Sequence, residues 1–181
     1  MPDRATFALA ACGPAAQTPT ATPPSPAVAA STTPGTPAAS APAADTPAAL
    51  RFTATTLDGA PFTGADLTGK PVVFWFWAPW CPKCVSEGPA VAKAAQTYRD
   101  EVAVVGIAGL DDSTRAMTAF VDRTGTGNLP HLDDRSGALY KHFRVTTQSS
   151  FLFMAPDGTT ATATGPLDEA ELTSLIDRHL R

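Results

Sequence analysis

Apolar and polar positions fall into blocks along this chain, and the period changes from block to block. Arg51 to Leu57 alternates and is rich in β-prone residues, and Asp58–Gly59 closes it with a turn. Val72 to Trp77 is then a continuous apolar run, the pattern of a strand buried on both faces. A helical period follows from about Pro82 to Tyr98, with Val85, Val91, Ala92 and Ala95 on the inner face. Val102 to Ala108 reads as a second buried strand. Asp112 or Ser113 can cap a helix running to about Arg123, with Met117, Phe120 and Val121 inward. Gly137 to Phe143 predicts a short helix. Ser150 to Met154 and Thr159 to Thr164 flank Asp157–Gly158, a hairpin signal. Asp168 and Glu171 make a capping box for a last helix whose apolar face is Leu172, Leu175 and Ile176. The predicted order is β–β–α–β–α–(α)–β–β–α: parallel crossovers first, an antiparallel hairpin last. That is an α/β fold, a central mixed sheet covered by helices.

Before Leu50 the pattern disappears. No charged residue lies between Arg4 and Asp45, and half of the 18 prolines fall between Pro14 and Pro47 among Ala, Thr and Ser. Such a stretch buries too little apolar surface to offset its ordering entropy. Residues 13–49 are expected to form a disordered linker, and 50–181 a single domain of roughly 130 residues. Residues 1–12 read differently. Arg4 precedes a short apolar run ending Leu9–Ala10–Ala11–Cys12, the order of a signal peptide with a lipobox cysteine. Cys12 is therefore the expected lipidation site, and the linker gives an anchored domain reach from the membrane. The apolar run is at the short limit for such a segment. No stretch is long enough to span a bilayer. The net charge of −4, with no basic run, argues against nucleic acid as a partner.

With Cys12 set aside, two of the three cysteines remain, in Cys81–Pro82–Lys83–Cys84 between a strand and a helix. Cysteines at i and i+3 on a first helical turn can meet. The first sits where free N–H groups and the helix dipole stabilise a thiolate, the nucleophile and leaving group of disulfide exchange. The second can resolve a mixed disulfide. Lys83 adds a positive charge, and Pro82 suits the first turn. Zinc would need further ligands, but His131, His142 and His179 lack ligand spacing. A structural staple closing so small a loop would stabilise little.

The segment Trp77–Ala78–Pro79–Trp80–Cys81–Pro82–Lys83–Cys84, with Pro89 beyond it, resembles the active-site segment of the thioredoxin superfamily. The longer "LDGAPFTGADLTGKPVVFWFWAPWC", with "TLDG", "GKP" and "GIAGLDD", is similar to the extracytoplasmic TlpA/ResA/DsbE branch, including the mycobacterial DsbE and DsbF proteins. The resemblance implies a thioredoxin-like fold and thiol–disulfide oxidoreductase activity on protein dithiols or disulfides. It implies no cofactor, because the disulfide carries the two electrons, and a membrane partner that regenerates the couple. Oxidase and reductase directions both remain open. A thioredoxin-like copper-binding module using Cys81 and Cys84, with His142, is the alternative. A peroxidase is a weaker one, since peroxidatic cysteines do not normally sit in CxxC.

Two positions depart from that likeness. Thioredoxins carry a buried aspartate where this chain has Trp75, which leaves Glu87, one turn past Cys84, as the candidate proton acceptor. The proline expected opposite the disulfide is absent from "FRVTTQSSFLF"; its place falls on Ser149 or Gln148, depending on register. The candidate substrate face comprises Trp80, Pro82, Lys83 and the loop Thr147, Gln148 and Ser149. Phe74 to Trp77 are expected to be largely core.

Overall fold

The computed structural model describes residues 46–181. The expected signal segment, Cys12 and most of the linker lie outside them. Residues 46–49, within the expected linker, are among those described. Thr46 is buried, its carbonyl accepts a hydrogen bond from Arg51 Nε, and Ala48–Leu50 form a 3₁₀ turn that buries Leu50. This short segment thus makes ordered contacts just ahead of the first strand.

A small antiparallel ribbon opens the fold, β1 (Thr53–Thr55) with β2 (Pro61–Thr63). A 3₁₀ turn at Gly64–Leu67 leads to the main sheet. That sheet comprises β3 (Val72–Trp77), β4 (Ala103–Gly109), β5 (His131–Asp134), β6 (Ser150–Met154) and β7 (Thr160–Thr164), in the order β5-β4-β3-β6-β7. The β3–β4 and β4–β5 pairs are parallel; β3–β6 and β6–β7 are antiparallel. The helices are α1 (Pro82–Thr97), α2 (Thr114–Thr124), α3 (Ala138–His142) and α4 (Glu169–Leu180).

The β3 run is fully buried because it is the middle strand, and its alternation divides the core. Trp75 and Trp77 face the cluster built with Val91 of α1, Phe120 of α2 and Ile176 of α4. Phe74 and Phe76 face the opposite cluster, with Leu50, Leu132 and Tyr140. On α1, Val91 and Ala95 are buried as expected, but Ala94 rather than Ala92 completes the inner face. Ser113, not Asp112, caps α2: its Oγ accepts from Ala116 N at 3.2 Å. The α4 capping box forms as expected, with Asp168 Oδ1 accepting from Glu171 N and Glu171 Oε2 from Asp168 N.

Two strands are additional to the predicted order. β2 is three residues long and begins with proline, so it offers no alternation to detect. β5 reads His–Leu–Asp–Asp, with no β-prone run. It becomes a strand by pairing with β4, and Thr56 bridges to Leu132 on its other side.

Candidate functional site

The chain leaves β3 at Trp77 and enters α1 five residues later. Cys81 is the N-cap of α1, Pro82 takes the first helical position, and Cys84 follows in the first turn. Cys81 and Cys84 are joined as a disulfide, with Cα atoms 5.3 Å apart. Cys84 N donates to Cys81 Sγ at 3.1 Å, so a sulfur takes the place usually filled by a capping oxygen. Both cysteines are buried, with Cys81 3% exposed and Cys84 fully covered. Of the two cysteines, only Cys81 keeps any exposure.

The surface around Cys81 is uneven. Trp80 and Leu110 are the large hydrophobic residues exposed among the described residues, at 55% and 44%. They are tied together, because Trp80 Nε1 donates to the Leu110 carbonyl at 2.9 Å. Leu110 has φ of 57°, an unusual conformation for leucine, at the end of β4. Pro82, Lys83 and Thr147 are exposed and Gln148 is half-buried. Ser149 departs from the expected surface grouping: its side chain is fully buried and its hydroxyl donates to Glu87. The Gln148–Ser149 peptide is cis.

Glu87 is only 1% exposed and is not a solvated helix charge. Its Oε1 accepts from Trp75 Nε1 at 2.7 Å and from Ser149 Oγ, and its Oε2 accepts from Leu167 N at 3.2 Å. Burial pushes the Glu87 carboxyl above its ordinary value, against the opposing pull of these donors and the Lys83 charge. Gly165 packs on this carboxyl so closely that a Cβ there would overlap Glu87 Oε2, with Ser149 Oγ 2.7 Å away. The position thus requires glycine. The indole of Trp75, in the place of the missing aspartate, is one of three donors to the inward-facing Glu87 carboxyl.

Sequence reasoning did not find the pair behind this node. Trp77 Nε1 donates to His131 Nδ1 at 3.1 Å, and His131 Nε2 donates to the Thr126 carbonyl at 2.9 Å. Both bonds fit one neutral tautomer, and burial pushes His131 down to about 4. A Cβ on Gly106 would overlap His131 Nδ1 and come within 2.9 Å of Trp77 Nε1, so glycine leaves room for the pair. A cavity of about 310 Å³ lies beyond it, lined by Leu57, Val121, Leu129 and His131 among others. None of its lining residues belongs to the cysteine segment. His142, which a copper site would enlist, bonds instead to the Ala49 carbonyl and packs on Phe52 and Phe143. Among the described residues, no three His, Cys, Asp or Glu side chains converge on a metal position.

A mixed sheet with a CxxC disulfide at the start of its first long helix defines a thioredoxin-like protein. Its structure is similar to that of MTB DsbF in mixed oxidised and reduced forms, at 42% identity and TM-score 0.70, covering 73% of this chain and 97% of that one. It is also similar to a secreted Mycobacterium tuberculosis disulfide oxidoreductase homologous to E. coli DsbE, at 38% identity and TM-score 0.67, covering 72% and 97%. In sequence it is 43% identical to the soluble secreted antigen MPT53 of Mycobacterium tuberculosis over 97 residues, 54% of each chain. The chain thus spans about half the length of the curated relatives it matches. The chain belongs to the AhpC/TSA family, whose sequence model matches residues 46–164.

Proposed function

We propose that this domain exchanges disulfides with protein substrates outside the cytoplasm, through Cys81 as the attacking and attacked sulfur and Cys84 as the resolving one. The observation that carries this reading is the disulfide closed across the first turn of α1, with Cys81 Sγ beside the helix N–H groups. In the oxidising direction a substrate thiolate attacks Cys81 Sγ. The Cys81–Cys84 bond breaks, and Cys84 leaves as a thiolate that takes up a proton. A second substrate thiolate then attacks the substrate sulfur of the mixed disulfide, and Cys81 leaves as a thiolate stabilised at the helix N-terminus. The substrate loses two electrons and the cysteine pair gains them, so no cofactor takes part. The reducing direction runs through the same steps reversed.

Glu87 is the proton acceptor for Cys84 when that thiol resolves the mixed disulfide. Trp80 and Leu110 offer an apolar platform beside Cys81, and Pro82, Lys83, Thr147 and Gln148 complete the substrate face. The membrane partner that resets the couple meets the same face. Cys12 carries the lipid that holds the domain on the outer side of the cell membrane. That two relatives are called secreted supports the location, and the "LAAC" sequence supports the anchor. Among the described residues, no helix is long and apolar enough to cross a membrane.

Trapping tests the assignment of the sulfurs. With a reduced protein substrate and an oxidant, Cys84→Ser should accumulate a mixed disulfide on Cys81, and Cys81→Ser should accumulate none. Equal trapping by both variants would remove the distinction between attacking and resolving sulfur.

A further inference from the structure

Three elements meet at the Glu87 carboxyl: β3 through Trp75, the segment entering β6 through Ser149, and the segment entering α4 through Leu167. The partners differ in chemistry. An indole N–H and a backbone N–H only donate, so both favour the carboxylate. A hydroxyl donates or accepts by rotating about its C–O bond. Ser149 is therefore the partner of the three that can meet Glu87 in either protonation state. It donates to the carboxylate, and it can accept from the protonated acid. Ser149 is fully buried, and Gly165 closes against both it and Glu87.

We infer that Ser149 is a positioning residue for the exchange reaction, its hydroxyl orienting Glu87 and setting the pH at which that carboxyl gains and loses its proton. This rests on the role proposed above for Glu87. The sign follows from the two bonds Ser149 can make. A bond to an ionised carboxylate is about twice as strong as one to its neutral form. Removing the hydroxyl therefore costs the anion more than the acid, and the carboxyl titrates at higher pH. Burial already pushes it upward, and the Ser149 hydroxyl opposes that push. The groups packed on Glu87 from other elements, namely Trp75, Ser149, Gly165 and Leu167, bring no ionisable side chain. On its own helix, Lys83 supplies a positive charge, and Cys84, one turn back, titrates once reduced.

The Trp75 indole gives a readout independent of activity, because its N–H points at the titrating oxygen. Indole ¹H–¹⁵N resonances of the oxidised full chain are followed against pH for wild type, Ser149→Ala, Ser149→Thr and Glu87→Gln. The rate at which the reduced chain exchanges with a protein disulfide, the direction in which Cys84 resolves, is measured across the same series. In Ser149→Ala the Trp75 midpoint and the acid limb of the rate profile should both move up by about one pH unit. Ser149→Thr, which keeps the hydroxyl, should stay near wild type, and Glu87→Gln should abolish the indole titration. Ser149→Gly, which also removes the hydroxyl and adds no reactive group, should move the midpoint in the same direction if the alanine variant does not fold. An unmoved midpoint in Ser149→Ala or Ser149→Gly, with the titration still abolished in Glu87→Gln, would overturn the role of Ser149 alone. A rate profile unchanged in Glu87→Gln would overturn the role of Glu87 and this inference with it.

Discussion

The indole of Trp75 holds the carboxylate of Glu87 over 2.7 Å, tying the middle strand of the sheet to the helix that carries the disulfide. Trp75→Phe preserves most of the ring volume and removes this donor. We expect a loss of about 1–3 kcal/mol, the cost of leaving a buried polar group short of a partner. Denaturant unfolding at neutral pH measures it. A loss as small as that of an exposed substitution would mean that the bond contributes little.

Glu87 and His131 should pull stability in opposite directions with pH. The folded Glu87 carboxyl sits above its ordinary value of 4.5, so the native state holds this proton more tightly than the unfolded chain. Stability from this group is complete below 4.5 and falls as pH rises through the folded value. Glu87→Gln should lack that component, which unfolding midpoints across the acid range would reveal.

His131 works the other way. Its folded value of about 4 lies below the ordinary 6.5, so protons favour the unfolded chain. Stability should fall as pH drops from 6.5 toward 4, by on the order of 3 kcal/mol in total. His131→Gln can keep an acceptor for Trp77 without a titrating ring, and should flatten this part of the curve. An equally steep curve in the variant would assign the acid loss elsewhere.

How much of this could be read from the sequence depended on whether the signal was local. The Cys81–Cys84 pair, the α4 capping box and the β3 run are each written in consecutive residues, and the expected elements formed there. The spacing from Cys84 singles out Glu87, but nothing local shows that Trp75 of β3 and Ser149, just before β6, donate to it. The polar neighbours Thr147 and Gln148 make Ser149 read as a surface residue. Its side chain instead points inward to Glu87. β5 has no sequence signature, because His131, Asp133 and Asp134 hide a strand specified by its partners. The conformation and exposure of Leu110 have no sequence signature, since leucine is ordinarily a core residue.

The platform beside Cys81 should affect protein substrates more than small ones. Trp80→Ala and Leu110→Asp should slow exchange with a reduced unfolded protein about ten-fold, in the range of a modest interface anchor. Exchange with a small dithiol should change little. An equal slowing for both substrate sizes would place the effect on the disulfide rather than on docking.

The proposed lipid anchor predicts an effect on location alone. Cys12→Ala should shift the protein from the membrane fraction and leave exchange by the purified domain unchanged. Cell fractionation with mass measurement of the N-terminus checks this. A wild-type chain that remains in the soluble fraction with Met1 or Pro2 retained would remove the lipid anchor from the account.

The central claim is that the Cys81–Cys84 couple passes disulfides to or from other proteins, and disulfide transfer measures this most directly. The oxidised domain is mixed with a reduced unfolded protein, and the reduced domain with its oxidised form. Free thiols on each partner are counted over time. The account predicts one-for-one transfer in at least one direction: a disulfide lost by one partner appears in the other, and Cys81→Ser abolishes it. A wild-type domain that transfers no disulfide in either direction, or a Cys81→Ser variant that transfers as well as wild type, would contradict it.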